Sequence, residues 1–306
     1  MIDLEPLRLL TFSSPDHLSA ASGIVVTNGL LYVVADDEQY LGVFDIAGER
    51  DGTKVRLFPG ELPDDAKERK ARKRDLEALV RLPPFDGYPT GALFALASGS
   101  KPNRQTGVLV ALDAAGALHG APQPVDLSAL YAPLHRRFPA LNVEGAVVCD
   151  GMLTLLQRAS GGHPENAVVR FALADVLVAL GAAGALCVPE LPVDVSTIDL
   201  GHIDGVPFGF TDAAALPDGR LVFSAVAESV DGTYYDGPCV GAAIGILGSD
   251  TQVQRLERIQ SVQKIEGVDA RQDDDVIRLL LVSDADDRGR AAGLFGATIA
   301  ALGDVR

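Results

Sequence analysis

The chain has 306 residues, 47% of them hydrophobic, and its 26 Lys and Arg against 42 Asp and Glu give a formal net charge of −16. That apolar content is enough to bury a sizeable core and excludes general disorder. The charge repels phosphate backbones, which argues against a nucleic-acid partner, and suits cations or small ligands held in a locally basic pocket.

Cys149, Cys187 and Cys239 stand at wide, unpatterned spacings, so neither a disulfide framework nor a CxxC metal knuckle is expected. The first residues, MIDLEPLRLLTF, lack a basic run followed by an apolar one, and no stretch approaches the roughly 18 apolar residues that a membrane span needs. The expectation is a soluble, cytoplasmic chain without a membrane partner. The 32 Gly and 18 Pro imply many turns and favour strands over helix bundles.

In chain order, PLRLLTFS (6–13) comes first, an apolar strand with nothing before it to pair with. Five units then share one pattern: a small or acidic pair, an apolar strand, a turn, and a second apolar strand. They start at Ser22-Gly23 (SGIVVTNGLLYVVADD), Glu77-Ala78 (LEALVRLPPFDGYPTGALFALASGS), Glu144-Gly145 (VEGAVVCDGMLTLLQRAS), Asp212-Ala213 (TDAAALPDGRLVFSAVAES) and Glu266-Gly267 (IEGVDARQDDDVIRLLLVSDADD). Asn28-Gly29, Asp150-Gly151 and Asp218-Gly219 supply the positive φ of tight hairpins. Longer loops are expected in the second and fifth units.

A third strand follows in each unit: YLGVFDIA, GVLVALDAAG, AVVRFALADV, VGAAIGILG and AAGLFGATI. Four units add a fourth: KVRLFP, PQPVDL, VSTIDLG and VQRLERIQ. The fifth lacks one, and the N-terminal strand can supply it, closing the ring and removing an open sheet edge. The pattern predicts an all-β chain, one β-propeller domain over 1–306 with five four-stranded blades. A sixth blade would have to sit in the insert 172–199, but its Ala- and Leu-rich run 173–186 reads as a helix ended by Pro189 and Pro192.

Inner strands line the channel, so the unit starts form one ring: Ser22, Glu77, Glu144, Asp212 and Glu266. Like charges at one level must take up protons, meet Lys or Arg, or share a cation, and Ca²⁺ or another divalent ion suits such oxygen ligands. This makes Glu77, Glu144, Asp212 and Glu266 candidate metal ligands. Equally, each acid can accept backbone N–H groups from the next blade and simply tie the ring. The neighbouring Gly or Ala lets the backbones crowd.

The second strands end in a second polar set: Asp36-Asp37-Glu38, Ser98-Gly99-Ser100-Lys101, Arg158-Ala159-Ser160, Glu228-Ser229 and Asp284-Ala285-Asp286-Asp287. Two segments, SGSKPNR (98–104) and RASGGH (158–163), combine Gly and Ser with basic residues. They make Ser98, Ser100, Lys101, Arg104, Arg158 and His163 candidate anion-binding residues, as an alternative to ordinary solvated turns. The basic run KERKARKR (67–74) reads as a solvated connector. No GxGxxG, P-loop, HExxH or GxSxG spacing occurs.

The recurring strand starts DLEALV, NVEGAVV and KIEGVDA, with strand ends such as SDADD, resemble the phytase-like, or esterase-like, β-propeller proteins and are similar to small bacterial members of that group. The resemblance implies acidic residues around one mouth binding Ca²⁺, and basic residues holding a phosphoryl group. Glu77, Glu144 and Glu266 match, with Asp212 at the fourth start, while Ser22 departs from the acidic pattern. The function it implies is a metal-binding hydrolase of a small phosphorylated or ester substrate, with Glu144 or Glu266 as ligand or base and a small, anionic molecule as partner. The alternative is a non-catalytic propeller binding a ligand or protein, with a structural cation. The sequence carries no indication of oligomeric state.

Overall fold

The structure, a computed structural model, describes residues 1–13, 15–159, 165–181, 192, 194–229 and 237–301. The five units form five four-stranded antiparallel blades arranged as a β-propeller. From the inside outward, blade I is Ala21–Thr27, Leu30–Ala35, Tyr40–Asp45 and Thr53–Arg56. Blade II is Leu76–Leu82, Ala92–Ala97, Thr106–Leu112 and Leu118–Asp126. Blade III is Val143–Cys149, Met152–Gln157, Asn166–Ala172 and Asp194–Ile198. Blade IV is Gly209–Ala215, Leu221–Glu228, Cys239–Leu247 and Val253–Arg258. Blade V is Lys264–Asp273, Val276–Asp284, Gly293–Ala300 and, as its outer strand, the N-terminal Glu5–Leu9.

The turn chemistry departs from expectation in two places. Asn28-Gly29 and Asp150-Gly151 are two-residue turns with both φ positive, as the dipeptides require. Asp218-Gly219 instead sits in a longer loop closed by Leu216 N–H to the Arg220 carbonyl at 2.8 Å. The fifth unit turns tightly, with Asp273 paired to Val276 and Asp274 at φ 51°. Asp tolerates the left-handed region, so a glycine is not needed there.

Apolar residues collect in five buried clusters, one between each pair of neighbouring blades. Phe94 and Leu155 join blades II and III, and Phe210 and Phe223 help to join III and IV. The N-terminal segment takes part in two of these cores. Ile2 is buried between blades IV and V, while Leu10, Phe12 and Leu18 are buried between V and I. Its strand runs antiparallel to the third strand of blade V, Glu5 opposite Gly296 and Leu9 opposite Gly293. Residues 10–13, read from the sequence as part of that strand, lie beyond its end, and of these Leu10 and Phe12 enter the core.

Among the described residues, three α-helices stand outside the blades: α1 (Ala66–Arg72), α2 (Ser128–Arg137) and α3 (Leu173–Gly181). The third is the helix expected in the long insert, and its Leu173, Val176 and Leu180 are buried. Residues 182–191 lie outside the described part. Among the described residues, no helix is long and apolar enough to cross a membrane.

Removing residues 1–9 should uncover the edge of blade V and empty the Ile2 site. Loss of a buried Ile alone costs about 2–5 kcal/mol, so the melting temperature should fall by at least about 4 °C. Calorimetry of the truncated chain checks this; an unchanged transition contradicts closure by this strand.

Candidate functional site

Each of the five inner strands carries a β-bulge near its start, where its register against the second strand shifts. The unpaired residues at these bulges are Ser22 with Gly23, Glu77, Glu144, Thr211 and Glu266. Four of the five expected ring positions therefore share one structural role. The fourth unit does not fit as aligned: Thr211 occupies the bulge, and Asp212 pairs with Ser224 at the place that Ala78, Gly145 and Gly267 hold elsewhere.

This one-residue offset separates Asp212 from the mouth acids. Its Oδ2 accepts the Val268 N–H at 3.0 Å, and the N–H groups of Ala213 and Ile24 also favour its charged form. Burial nevertheless holds its carboxyl well above the usual range. Asp212 is thus a tie between blades, the alternative weighed for the whole ring. Thr211 turns inward, donating to the Ile265 carbonyl at 2.8 Å.

The other acids meet basic side chains of this chain. Arg158 ends the second strand of blade III, and its Nη1 lies 3.2 Å from Glu144 Oε2 and 3.7 Å from Glu266 Oε2. Its Nη2 pairs with Glu228. A Cβ on Gly209 would stand 2.8 Å from Arg158 Cγ, so glycine keeps the path of this side chain open. Gln157 and Asn166 fix the surrounding backbone through bonds to Asn142, Arg158, Ala159 and Phe208.

Lys264 Nζ reaches Glu228 at 3.1 Å, Glu266 at 3.5 Å, Asp284 at 3.4 Å and Asp286 at 2.8 Å. Burial alone would lower the pKa values of Arg158 and Lys264, but these carboxylates hold both well above their usual values.

Across the mouth, Asp75 gathers a second network. Lys73 Nζ lies 2.8 Å from its Oδ1, Arg104 Nη1 lies 2.7 Å from its Oδ2, and Ser98 and Ser100 donate to the same oxygen. Lys73 also pairs with Asp36. Against the effect of burial, Lys73 and Arg104 bring the Asp75 carboxyl below its usual range. Ser98, Ser100 and Arg104, expected to bind an external anion, thus converge on a carboxylate of this chain. Lys101 stays exposed, without an ion pair among the described residues. Its pKa is lowered by burial of its stem and by nearby Arg104, Lys70 and Lys73. His163 lies outside the described residues.

Glu77 differs from its neighbours: among the described residues its carboxylate has no hydrogen bond or ion pair, and the residue is only partly buried. Burial, then Glu144, Asp75 and Asp36, push its carboxyl far up, against Lys73. Glu144 is pushed up to about 8 by burial, with Glu266 and Asp75 adding to the shift and Arg158 opposing it.

Lys73, Asp75 and Lys264 were missed in the sequence reading, although a signal was present. In Asp75-x-Glu77, Asn142-x-Glu144 and Lys264-x-Glu266, the residue two places before the bulge faces the same mouth. The basic run is also more than a solvated connector. Arg69 of α1 is buried, pairs with Glu38 at 2.7 Å and lies 3.5 Å from Asp37.

Because folding raises the Glu144 pKa to about 8, the native state holds that proton more tightly than the unfolded chain. Its contribution is complete below the ordinary carboxylate range and is lost as pH rises toward 8. Relative to Glu144→Gln, the wild type should lose about 1 kcal/mol per pH unit between pH 6 and 8. Urea titrations of both chains at pH 6, 7 and 8 measure the difference; parallel pH dependences would contradict the assignment.

Comparison with known proteins supplies a family and a fold. No curated protein sequence matches the chain. Among solved structures, a family GH43 β-1,3-galactosidase aligns with TM-score 0.51 and 10% identity over 98% of this chain and 62% of its own. A luciferin-regenerating enzyme aligns with TM-score 0.47 and 10% identity over 100% and 99%. Virginiamycin B lyase from Staphylococcus aureus aligns with TM-score 0.38 and 11% identity over 93% and 68%. At such identities the galactosidase likeness speaks for the fold alone, and the other two carry no argument. None of these matches is a phytase-like propeller. Residues 17–299 match the model of DUF6929, described as a family of unknown function, and the chain belongs to that family.

Proposed function

We propose that the mouth around Glu77, Glu144 and Lys101 is an active site hydrolysing a small ester or phosphoester. The observation that supports this most directly is the pairing of a half-buried, unpartnered Glu77 with a buried, anchored Glu144 on the neighbouring inner strand: burial raises both carboxyls, and the charge of Glu144 adds to the shift of Glu77. Two such carboxyls readily share one proton, leaving one to act as acid and the other as base. The base takes a proton from water as its oxygen bonds to the acyl carbon or phosphorus; the acid protonates the departing ester oxygen.

Glu144 is held by Asn142 and Arg158, which fixes its position. Glu266 is shared between Arg158 and Lys264 and serves to hold Arg158 rather than to react. Lys101 offers its charge to an anionic substrate group. The resemblance to phytase-like propellers is consistent with this substrate class.

A second reading places a divalent cation such as Ca²⁺ at Asp36, Asp75 and Glu77, each of which offers a carboxylate oxygen within 4.8 Å of the others. Lys73 already pairs with two of the three, so the donor set does not fit a metal while that ammonium stays in place. The carboxylates around Arg158 and Lys264 are likewise paired.

A panel of aryl esters and phosphoesters tests the proposal. Glu77→Gln and Glu144→Gln should each lower kcat by about 10²–10⁴-fold, with melting temperatures retained at pH 6 and chelator without effect. No turnover of any panel member by the wild type favours a non-catalytic binding propeller. Loss of stability on chelation, restored by Ca²⁺, favours the metal reading.

A further inference from the structure

At the end of the inner strands away from the acidic mouth, a cavity of about 490 Å³ opens between blades V and I. Its walls include Val26, Ile46 and Leu280, and its polar groups fall into two sets of opposite sign. The first is Asp269 of the blade V inner strand. Its Oδ2 accepts the Val26 N–H at 3.2 Å, and among the described residues the carboxylate has no basic partner. Burial pushes this carboxyl up to about 6, as expected of an acid without a counter-charge. Asp3 and Glu5 of the N-terminal segment, both exposed, add negative charge to the lining.

The second set is Arg271 and Arg278, cross-strand partners in blade V. Like charges placed directly opposite one another are unfavourable. Here one acid, Asp273, serves both: its carboxylate accepts from Arg278 Nε at 2.9 Å and lies 3.3 Å from Arg271 Nε. The pair therefore carries one positive charge more than its counter-ion, on guanidinium groups that remain exposed.

Asp269 and Arg271 are two residues apart on one face of one strand, a separation of about 7 Å along the strand. The geometry points to a binding site for a short zwitterion, its ammonium group on Asp269 and its carboxylate on the Arg271–Arg278 pair, with three to five methylene groups between them against the apolar wall. An α-amino acid is too short to engage both ends. A simple amine or a simple carboxylate engages one only. The site is separate from the proposed hydrolytic mouth.

Isothermal titration of the full chain with 5-aminopentanoate, glycine, pentanoate and pentylamine tests this. The expected result is one saturable site for 5-aminopentanoate, with each of the other three binding at least tenfold more weakly. Asp269→Asn, which can still accept the Val26 N–H, should weaken 5-aminopentanoate at least tenfold. Arg278→Gln should do the same from the other end of the cavity and provides an independent test if the Asp269 variant folds poorly. Glu77→Gln should leave this binding unchanged, which distinguishes failure here from failure at the mouth. The proposal is overturned if 5-aminopentanoate shows no saturable binding at millimolar concentration, if glycine or pentylamine binds as well, or if correctly folded Asp269 and Arg278 variants bind like the wild type.

Discussion

Five inner strands can surround one axis only by bringing their backbones closer than ordinary side chains permit. A Cβ on Gly23 would stand 2.5 Å from the Leu79 nitrogen, one on Gly145 3.0 Å from Asp212 Cα, and one on Gly267 2.3 Å from the Ser22 carbonyl oxygen. Glycine at these places is therefore a matter of space between blades, since none of the three has positive φ. The same constraint shapes the mouth. Where the backbones crowd, the register of each inner strand shifts by a bulge. A bulge re-aims a side chain, and here three of the five re-aimed positions hold acids, Glu77, Glu144 and Glu266.

Crowding polar groups at an axis creates an electrostatic problem that the chain resolves with its own cations. A buried carboxylate must be paired, hydrogen-bonded or protonated. Arg158 serves acids from three blades, Glu144 of III, Glu228 of IV and Glu266 of V, and Lys264 joins the last two to Asp284 and Asp286. Arg suits the shared position because its planar fork offers donors in several directions. Removing it would leave several buried acids short of a counter-charge, a far larger perturbation than loss of one surface pair. Even so, carboxylates outnumber cations at this mouth, and burial, with the neighbouring carboxylates adding to it, raises the pKa values of Glu77, Glu144 and Asp284.

Blade number, strand order and closure were legible in the sequence because each rests on a local feature: apolar runs repeated in five units, turn dipeptides in three of them, and one unpaired first strand. The repeat placed four of its five ring positions at the bulges and missed the fourth unit's by one residue. Asp212-Ala213 has the same acid-beside-small appearance as Glu144-Gly145, yet Phe210 and Phe223 meet in the core between blades III and IV, and the register there makes Thr211 the bulged residue. A shift of one place in a strand exchanges its faces, so Asp212 leaves the mouth acids for a backbone tie. The partners of the acids were less legible. Arg158 and Glu266 are joined across blades III and V, and no local spacing records a contact between residues so distant in sequence. The basic run was misjudged for a similar reason, since its composition is that of a solvated connector while Arg69 is paired with Asp37 and Glu38, which lie between the second and third strands of blade I.

The two ends of the inner strands show how one scaffold handles buried charge in opposite ways. At the mouth, each acid near the axis except Glu77 has a partner held by a neighbouring strand, so the network is interlocked and little of it is free to engage a ligand. Glu77 is receptive because the local cation, Lys73, is already drawn to Asp36 and Asp75. At the far end, among the described residues, no Lys or Arg is paired with Asp269; the Val26 N–H is its partner, and the guanidinium groups farther along the strand are committed to Asp273. Recruiting Arg271 to Asp269 would leave Arg278 and Arg271 less fully compensated as a cross-strand pair. The local charge pattern therefore keeps the two signs apart across the cavity. Charges left apart attract external charge more strongly than the same groups once paired, so the proposed ligand would be held where internal compensation is incomplete.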